Sequence, residues 1–371
     1  MEVSTMNVNQ ASVYFLDDES QVLGALRRAL RLRLKGWTMV FESSPSRTLD
    51  LMSHSTPWVV VVDKKMPEID GAEFLNEIKT LYPDAVRVIL SGDISHETVV
   101  ESAGIAHLLL SKPFELDEIV AVIERAVCLR TFQLDDELRA GIGNIDNLPI
   151  LPANYDALVT YLNSVDEPDY VCVAELISHD IAVLSKILQL ANSAFFGAAV
   201  PAYSAHDAVV RLGHDLVRKL VLCFELYTAK GDLDLHNQLL KSSERIAEGC
   251  VKLATASQLS REDTERAYFT GLLHNIGELV LAGQNSNISS DLAGSFLLKL
   301  WGFDQRIVDA VRHQSSPGKN QETDPVIYQL NLVKTLVKGD SSLMEMDVFL
   351  ESLDPNLLKN AQLSDYVGSF S

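Results

Sequence analysis

A chain of 371 residues, 47% hydrophobic and 22% charged, is long enough for two or three domains with ordinary buried cores. Its formal charge of −20, from 31 basic and 51 acidic side chains, argues against nucleic acid as a partner, because a phosphate backbone needs a concentrated basic face. No apolar run reaches the ~18 residues of a membrane span, and residues 1–10 lack the basic-then-apolar layout of a signal peptide. Cys128, Cys172, Cys223 and Cys250 lie far apart without a CxxC pair, so they read as reduced core thiols of a cytoplasmic protein.

From Ser12 to about Arg130, β-branched runs alternate with helical segments. The strand candidates are SVYFL, TMVFE, WVVVV, VRVIL and HLLL. Near-continuous apolar strands separated by amphipathic helices predict a parallel sheet covered on both faces. The chemistry falls at the strand ends. The first closes on Asp17 and Asp18, the third on Asp63, the fourth on Ser91 with Gly92 beside it, and the fifth on Lys112 in SKPF. Ligands of such sheets bind beyond the carboxyl ends of the strands. Three carboxylates gathered there repel one another unless they share a hard divalent cation, and oxygen-only ligation suits Mg²⁺. A carboxylate nucleophile, a metal, a lysine and a hydroxyl are the parts of a phosphoryl-accepting site.

The ordered set of acid pair, single Asp, Ser and Lys-Pro resembles the receiver domain of two-component response regulators over the whole of this segment. The resemblance implies a flavodoxin-like (CheY-like) doubly wound five-stranded sheet with Asp63 as phosphoacceptor, served by a histidine kinase or phosphotransfer protein. It also implies Mg²⁺ on Asp17, Asp18, Asp63 and the backbone carbonyl of Lys65, with Ser91 and Lys112 contacting the phosphoryl group. Three residues before the lysine, where many receivers carry Tyr or Phe, stands Leu109. Lys65 and Asp93 are either a pair closing over the acyl phosphate or two solvated rim charges.

The next segment keeps an apolar stripe through Leu116, Ile119, Ile123, Leu134 and Leu138 until Gly141 and Gly143. This pattern predicts a helix that runs on out of the receiver. Such a helix either relays the receiver's state, pairs with a second copy, or simply packs on its neighbours.

Beyond NLPILP the pattern is helical throughout. His179-Asp180 reads as the start of the helix DIAVLSKILQLA, with Asp180 favouring the helix dipole. His206, His214 and His236 read as surface or capping residues, whereas His274 and His313 lie within helices. LPILP (148–152), AELISHDIAVLSKILQLANSAFFG (174–197), SAHDAVVRLG (204–213) and AYFTGLLHNIG (267–277) resemble the HDOD domain, a helical module related to HD-type metal phosphohydrolases. In that kinship the metal ligands have decayed. Ser242 or Ser243 stands where a histidine is expected, the His-Asp pair has become His274-Asn275, and a His-His doublet has become His313-Gln314. The degenerate set is thus Ser242, His274, Asn275 and His313, and His274 reads better as a hydrogen-bonded helix lock.

The expected organisation is a flexible N-terminus (1–10), a receiver (11–130), a helical linker (131–146) and an all-helical HDOD output domain (147–337). An acidic tail (338–371), a candidate docking helix, completes it. The expected function is a response regulator that accepts a phosphoryl group on Asp63 and signals through a catalytically silent HDOD domain. Mg²⁺ is expected in the receiver and no cofactor in the HDOD domain. The expected partners are a kinase, a downstream signalling protein and a second copy of the chain, without nucleic acid or membrane insertion. The alternative is a phosphorylation-gated metal-dependent phosphohydrolase acting on a nucleotide or cyclic dinucleotide.

Overall fold

The computed structural model describes residues 12–338 except 94, 144–147, 149, 151, 197–200, 225–232, 283–287 and 317–323. The expectations for residues 1–10 and for the acidic tail therefore lie outside the described residues, apart from Lys338.

Five strands, β1 (Ser12–Leu16), β2 (Thr38–Glu42), β3 (Pro57–Asp63), β4 (Val86–Ser91) and β5 (Leu108–Ser111), form one sheet in the order β2-β1-β3-β4-β5. Every pairing is parallel. Helices α1 (Ser20–Arg33), α2 (Pro45–His54), α3 (Gly71–Leu81), α4 (His96–Ser102) and α5 (Leu116–Arg130) link the strands. Val59 to Val62 are all buried, as a strand covered on both faces requires. Leu23, Leu26 and Leu30 recur at helical spacing on α1 and are buried, while its arginines are exposed. Each such Leu or Val contributes about 1.5–3 kcal/mol by leaving water.

The expected continuous helix out of the receiver is interrupted. After α5 the chain turns, with the Thr131 N–H and hydroxyl both bonding to the Cys128 carbonyl (3.0 and 2.6 Å). A separate helix α6 (Asp136–Gly143) then starts, with the Asp135 carboxylate accepting from the Leu138 N–H at 2.8 Å. Side-chain bonding at Asp135 offers the backbone a new helix start, which outweighs the apolar stripe. The helix α6 folds back on the receiver. The Gly143 carbonyl accepts from Arg87 Nη2 and His107 Nε2, both at 2.9 Å. A Cβ at Gly143 would stand 2.3 Å from the Pro83 carbonyl oxygen, so no larger residue fits without displacement.

The remainder is helical: α7 (Pro152–Ser164), α8 (Tyr170–Ser178), α9 (Ile181–Ala191), a 3-10 turn (Ala194–Phe196), α10 (Ala205–Leu212), α11 (His214–Phe224) and α12 (Leu233–Ala256). Then follow α13 (Arg261–Leu273), α14 (Ile276–Leu281), α15 (Ser290–Leu300), α16 (Gln305–His313) and α17 (Pro325–Lys338). Every residue of α9 is buried, which makes it the central helix. Asp180 Oδ1 accepts from the N–H groups of Ala182 (2.9 Å) and Val183 (3.1 Å), so His179-Asp180 is a helix start. His206 is exposed and His214 half-buried. His236, expected at the surface, is buried, and burial pushes its imidazole down to about 4. The core-thiol expectation fails at Cys172, which is exposed in the first turn of α8; Cys250 is buried.

One apolar core runs from the sheet into α7–α11, α14, α15 and α16, and a second joins α12, α13 and α17. Between the two halves Gln189 Nε2 donates to the His107 carbonyl (2.9 Å), Phe132 meets Phe296 edge-on, and Lys219 pairs with Glu97 (3.2 Å). Among the described residues no helix is long and apolar enough to cross a membrane.

Candidate functional site

Parallel register brings the ends of β1, β3, β4 and β5 to one rim of the sheet, each with a polar residue at or just past its last position. Asp17 and Asp63 are buried there, and the Lys112 ammonium lies between them. Its Nζ donates to Asp17 Oδ2 at 2.7 Å and pairs with Asp63 Oδ1. The second oxygens are held by the backbone: Asp17 Oδ1 by the Glu19 N–H and Asp63 Oδ2 by the Lys65 N–H, both at 2.9 Å. Burial pushes the Asp63 carboxyl above its ordinary value. Lys112 opposes that rise and the charge of Asp17 adds to it. For Lys112, burial alone would lower the ammonium, but its bonds and charge interactions with the two carboxylates raise it.

Asp18, the third expected carboxylate, is exposed. Asp17 and Asp63 thus converge without it, and among the described residues no three acid, imidazole or thiol side chains form a ready metal cage. Ser91 is buried at the same rim with its hydroxyl turned into its own loop, donating to the Asp93 carbonyl (3.0 Å) and accepting from the Asp93 N–H (3.1 Å). Lys65 and Asp93 do pair, at 2.8 Å, with the lysine side chain 71% exposed.

Sequence reasoning missed Lys64. It is buried, with Nζ donating to Asp70 Oδ1 (2.6 Å) and Glu101 Oε2 (2.8 Å), while its neighbour Lys65 faces solvent. Asp70 also caps α3 through the Ala72 N–H at 2.8 Å. Two adjacent lysines carry no signal of which turns inward. The next position, Gly71, packs against the end of β3, for a Cβ there would stand 2.2 Å from the Asp63 carbonyl oxygen.

In the helical half the degenerate set is only partly assembled. Ser243, not Ser242, reaches Asn275: Ser243 Oγ donates to Asn275 Oδ1 and Asn275 Nδ2 donates to the Leu239 carbonyl, both at 2.8 Å. One residue along α12 turns a side chain by about 100°, and this leaves Ser242 half-buried at the side. His313 is exposed and does not join; its neighbour Gln314 is buried and donates to the His274 carbonyl at 2.8 Å. His274 Nδ1 bonds to the Gly271 carbonyl at 2.7 Å, and Lys334 Nζ donates to Gln314 Oε1 at 2.7 Å. These amides, hydroxyl and ammonium join α12, α13, α16 and α17 as one buried hydrogen-bonded lock.

Two family models match the chain: the response regulator receiver domain over residues 13–124 and the HDOD domain over residues 148–291. The hydrogenase transcriptional regulatory protein HoxA of Cupriavidus necator is 33% identical over 142 residues, covering 36% of this chain and 29% of HoxA. An uncharacterized protein of Treponema pallidum is 25% identical over 333 residues, covering 76% of this chain and 62% of that protein. The chain therefore spans less than two thirds of either relative. Among solved structures, the MmoQ response regulator of Methylococcus capsulatus is similar at 22% identity, covering 59% of this chain and 94% of that one with a TM-score of 0.45. With its five-stranded parallel sheet followed by a helical half, the chain carries a response regulator receiver domain and an HDOD domain, the architecture of a two-component response regulator.

Proposed function

We propose that the chain accepts a phosphoryl group on Asp63 and relays that event through a catalytically silent HDOD domain to a protein partner. The observation that carries this is the Lys112 ammonium shared by two buried carboxylates at the strand-end rim. In this reading the receiver spans 11–130, the linker 131–146 and the output domain 147–337. A histidine kinase or phosphotransfer protein is the donor.

Two buried acids with one ammonium between them keep a net negative charge, and their oxygens are hard donors, which fits Mg²⁺. Asp17, Asp63 and the Lys65 carbonyl would hold the ion, and Asp18 would join them by turning inward from its exposed position. When bound it screens the oxygens of the incoming phosphoryl group. An Asp63 carboxylate oxygen attacks phosphorus as the donor leaves, and Lys112 moves part of its pairing from Asp63 to the new phosphoryl oxygens. Ser91 gives up its loop bond to donate to the same group. The silent output domain is supported by the buried lock, in which Asn275 and Gln314 are already engaged and Lys334 adds a positive charge.

The test is intact-mass analysis after incubation with acetyl phosphate and Mg²⁺, followed by a pull-down. Wild type should gain one phosphoryl mass and Asp63→Ala none, and a partner should be recovered in an Asp63-dependent way. Modification that persists in Asp63→Ala refutes the assignment. Nucleotide hydrolysis with a stoichiometric transition metal lost on His274→Ala refutes the silent output domain.

A further inference from the structure

A cavity of about 370 Å³ opens between the two halves of the molecule, lined on the receiver side by Leu109, Ala121 and Arg125 and on the helical side by Asn192, Ser193 and Trp301. Its size is that of an ordinary small-molecule site. Arg125 is the cation in the lining. Among the described residues no hydrogen bond or ion pair engages its guanidinium, and burial pushes it down to about 10 with no carboxylate offsetting the cost. It reaches this place along a gap left by Gly302, where a Cβ would meet Arg125 Nη1 at 2.6 Å and Leu108 Cδ2 at 2.8 Å.

The surroundings are more cationic than a chain of charge −20 leads one to expect. Burial lowers the Lys299 ammonium; Cys128 opposes this, the neighbouring Arg125 charge adds to the fall, and Asp309 and Asp304 oppose it more weakly. Lys186 is buried with its ammonium over the Trp301 ring at 5.4 Å. The carboxylate in the lining, Glu118, stands two helical turns from Arg125 on α5 and is engaged at the helix start, where it accepts from the Glu115 N–H at 3.0 Å. A half-buried guanidinium without a protein partner is costly unless a ligand arrives, and its fork matches phosphate oxygens.

We propose that this cavity binds a small phosphorylated organic molecule, a phosphate monoester of about nucleoside-monophosphate size, with its phosphate on Arg125 and its body between Leu109, Ala121 and Trp301. Such a ligand touches both halves at once, so its binding stabilises the docked arrangement by mass action, independently of Asp63 phosphorylation.

The test uses the full chain in calorimetric titration and thermal unfolding, with AMP and glucose 6-phosphate as phosphate monoesters, adenosine and glucose as their neutral bodies, and inorganic phosphate as the head group alone. At least one monoester should bind one to one below about 1 mM and raise the unfolding temperature, with its neutral body and inorganic phosphate each at least tenfold weaker. Arg125→Gln should weaken binding at least tenfold, with part restored in Arg125→Lys. Ala121→Trp, at an exposed edge of the cavity that tolerates a larger side chain, should block binding while leaving Arg125 and the fold in place. Circular dichroism verifies that each variant is folded. Binding of neither monoester, binding indifferent to both Arg125→Gln and Ala121→Trp, or equal binding of the neutral body overturns the proposal.

Discussion

The substitution Asn275→Asp, which recreates a literal His-Asp pair, is expected to damage the fold rather than rebuild a metal centre. Asn275 is 2% exposed and uses both ends of its amide, accepting from Ser243 Oγ and donating to the Leu239 carbonyl. A carboxylate keeps the first bond and sets two oxygens against each other in the second. Losing that donor costs about 1–3 kcal/mol, and the uncompensated buried charge brings the penalty to about 3–5 kcal/mol. Lys334 is already engaged by Gln314. The assay is urea unfolding followed by circular dichroism, with the midpoint as readout. The pH dependence has a definite sign. Burial raises the new carboxyl above its unfolded value of about 4, so the penalty is full at neutral pH and fades as pH falls through the raised value. Once protonated, the carboxyl can again donate to Leu239. The gap between the variant and wild-type midpoints should therefore be smaller at about pH 5 than at about pH 8. An unchanged midpoint at the higher pH, or a variant that gains a stoichiometric transition metal, refutes the lock.

Three further outcomes follow from the receiver and its seam. Lys65→Ala and Asp93→Ala each remove the exposed pair beside Asp63 and should shorten the lifetime of the phosphorylated protein, read as loss of phosphorylated mass with time; unchanged lifetimes show the pair to be two rim charges. Gly71→Ala drives a Cβ into the Asp63 carbonyl, so it should cost about 1–3 kcal/mol in unfolding and slow phosphorylation by acetyl phosphate, and a wild-type rate would contradict that positioning. His107 is buried and held well below 6.5, by burial first and by the Arg87 charge second. A depressed histidine gives stability that is full above about pH 6.5 and lost below it, by up to about 1.4 kcal/mol per pH unit, because the unfolded state binds the extra proton. Unfolding of His107→Asn should show a shallower acid slope, with His236 accounting for part of what remains, and an unchanged slope refutes the assignment.

The receiver half was legible because its signals are local and repeated. Each apolar run ends in a polar residue that the parallel register must bring to one rim, so Asp17, Asp63, Ser91 and Lys112 could be placed together from spacing alone. Orientation within that rim was not legible. Whether Asp18 faces in or out, and which of Lys64 and Lys65 is buried, depends on single peptide rotations that leave hydrophobic periodicity unchanged. The connector misled because an apolar stripe continues through Leu134 and Leu138, while the break is set by one side-chain bond at Asp135. In the helical half the motif found the neighbourhood of His274 and named both members of Ser242/Ser243 and His313/Gln314, but the degenerate set took the wrong one of each pair, since a step of one along a helix moves a side chain to another face. The cavity at Arg125 was invisible in sequence because its walls come from three segments far apart in the chain, 108–125, 192–194 and 301–302.

The seam between the halves bears on how a phosphoryl signal acts under the proposed function. Lys112 follows directly on β5, and Leu109 of that strand lines the interdomain cavity, so moving the ammonium toward a phosphoryl group pulls on a strand already in contact with the output domain. A shift from 1:99 to 99:1 needs about 5.5 kcal/mol of differential stabilisation. The single bond from Gln189 to His107 contributes about 1 kcal/mol net and the Phe132–Phe296 pair about 0.5–1.5 kcal/mol beyond area, and both are within reach of that supply. The shared apolar core is not. Leu108, Leu110, Phe132 and Phe296 belong to one continuous cluster, and exposing several such side chains at about 1.5–3 kcal/mol each exceeds what one phosphoryl group provides. Repacking where β5 meets the Ala194–Phe196 turn is therefore favoured over separation of the domains, and it is there that the unpaired guanidinium of Arg125 lies.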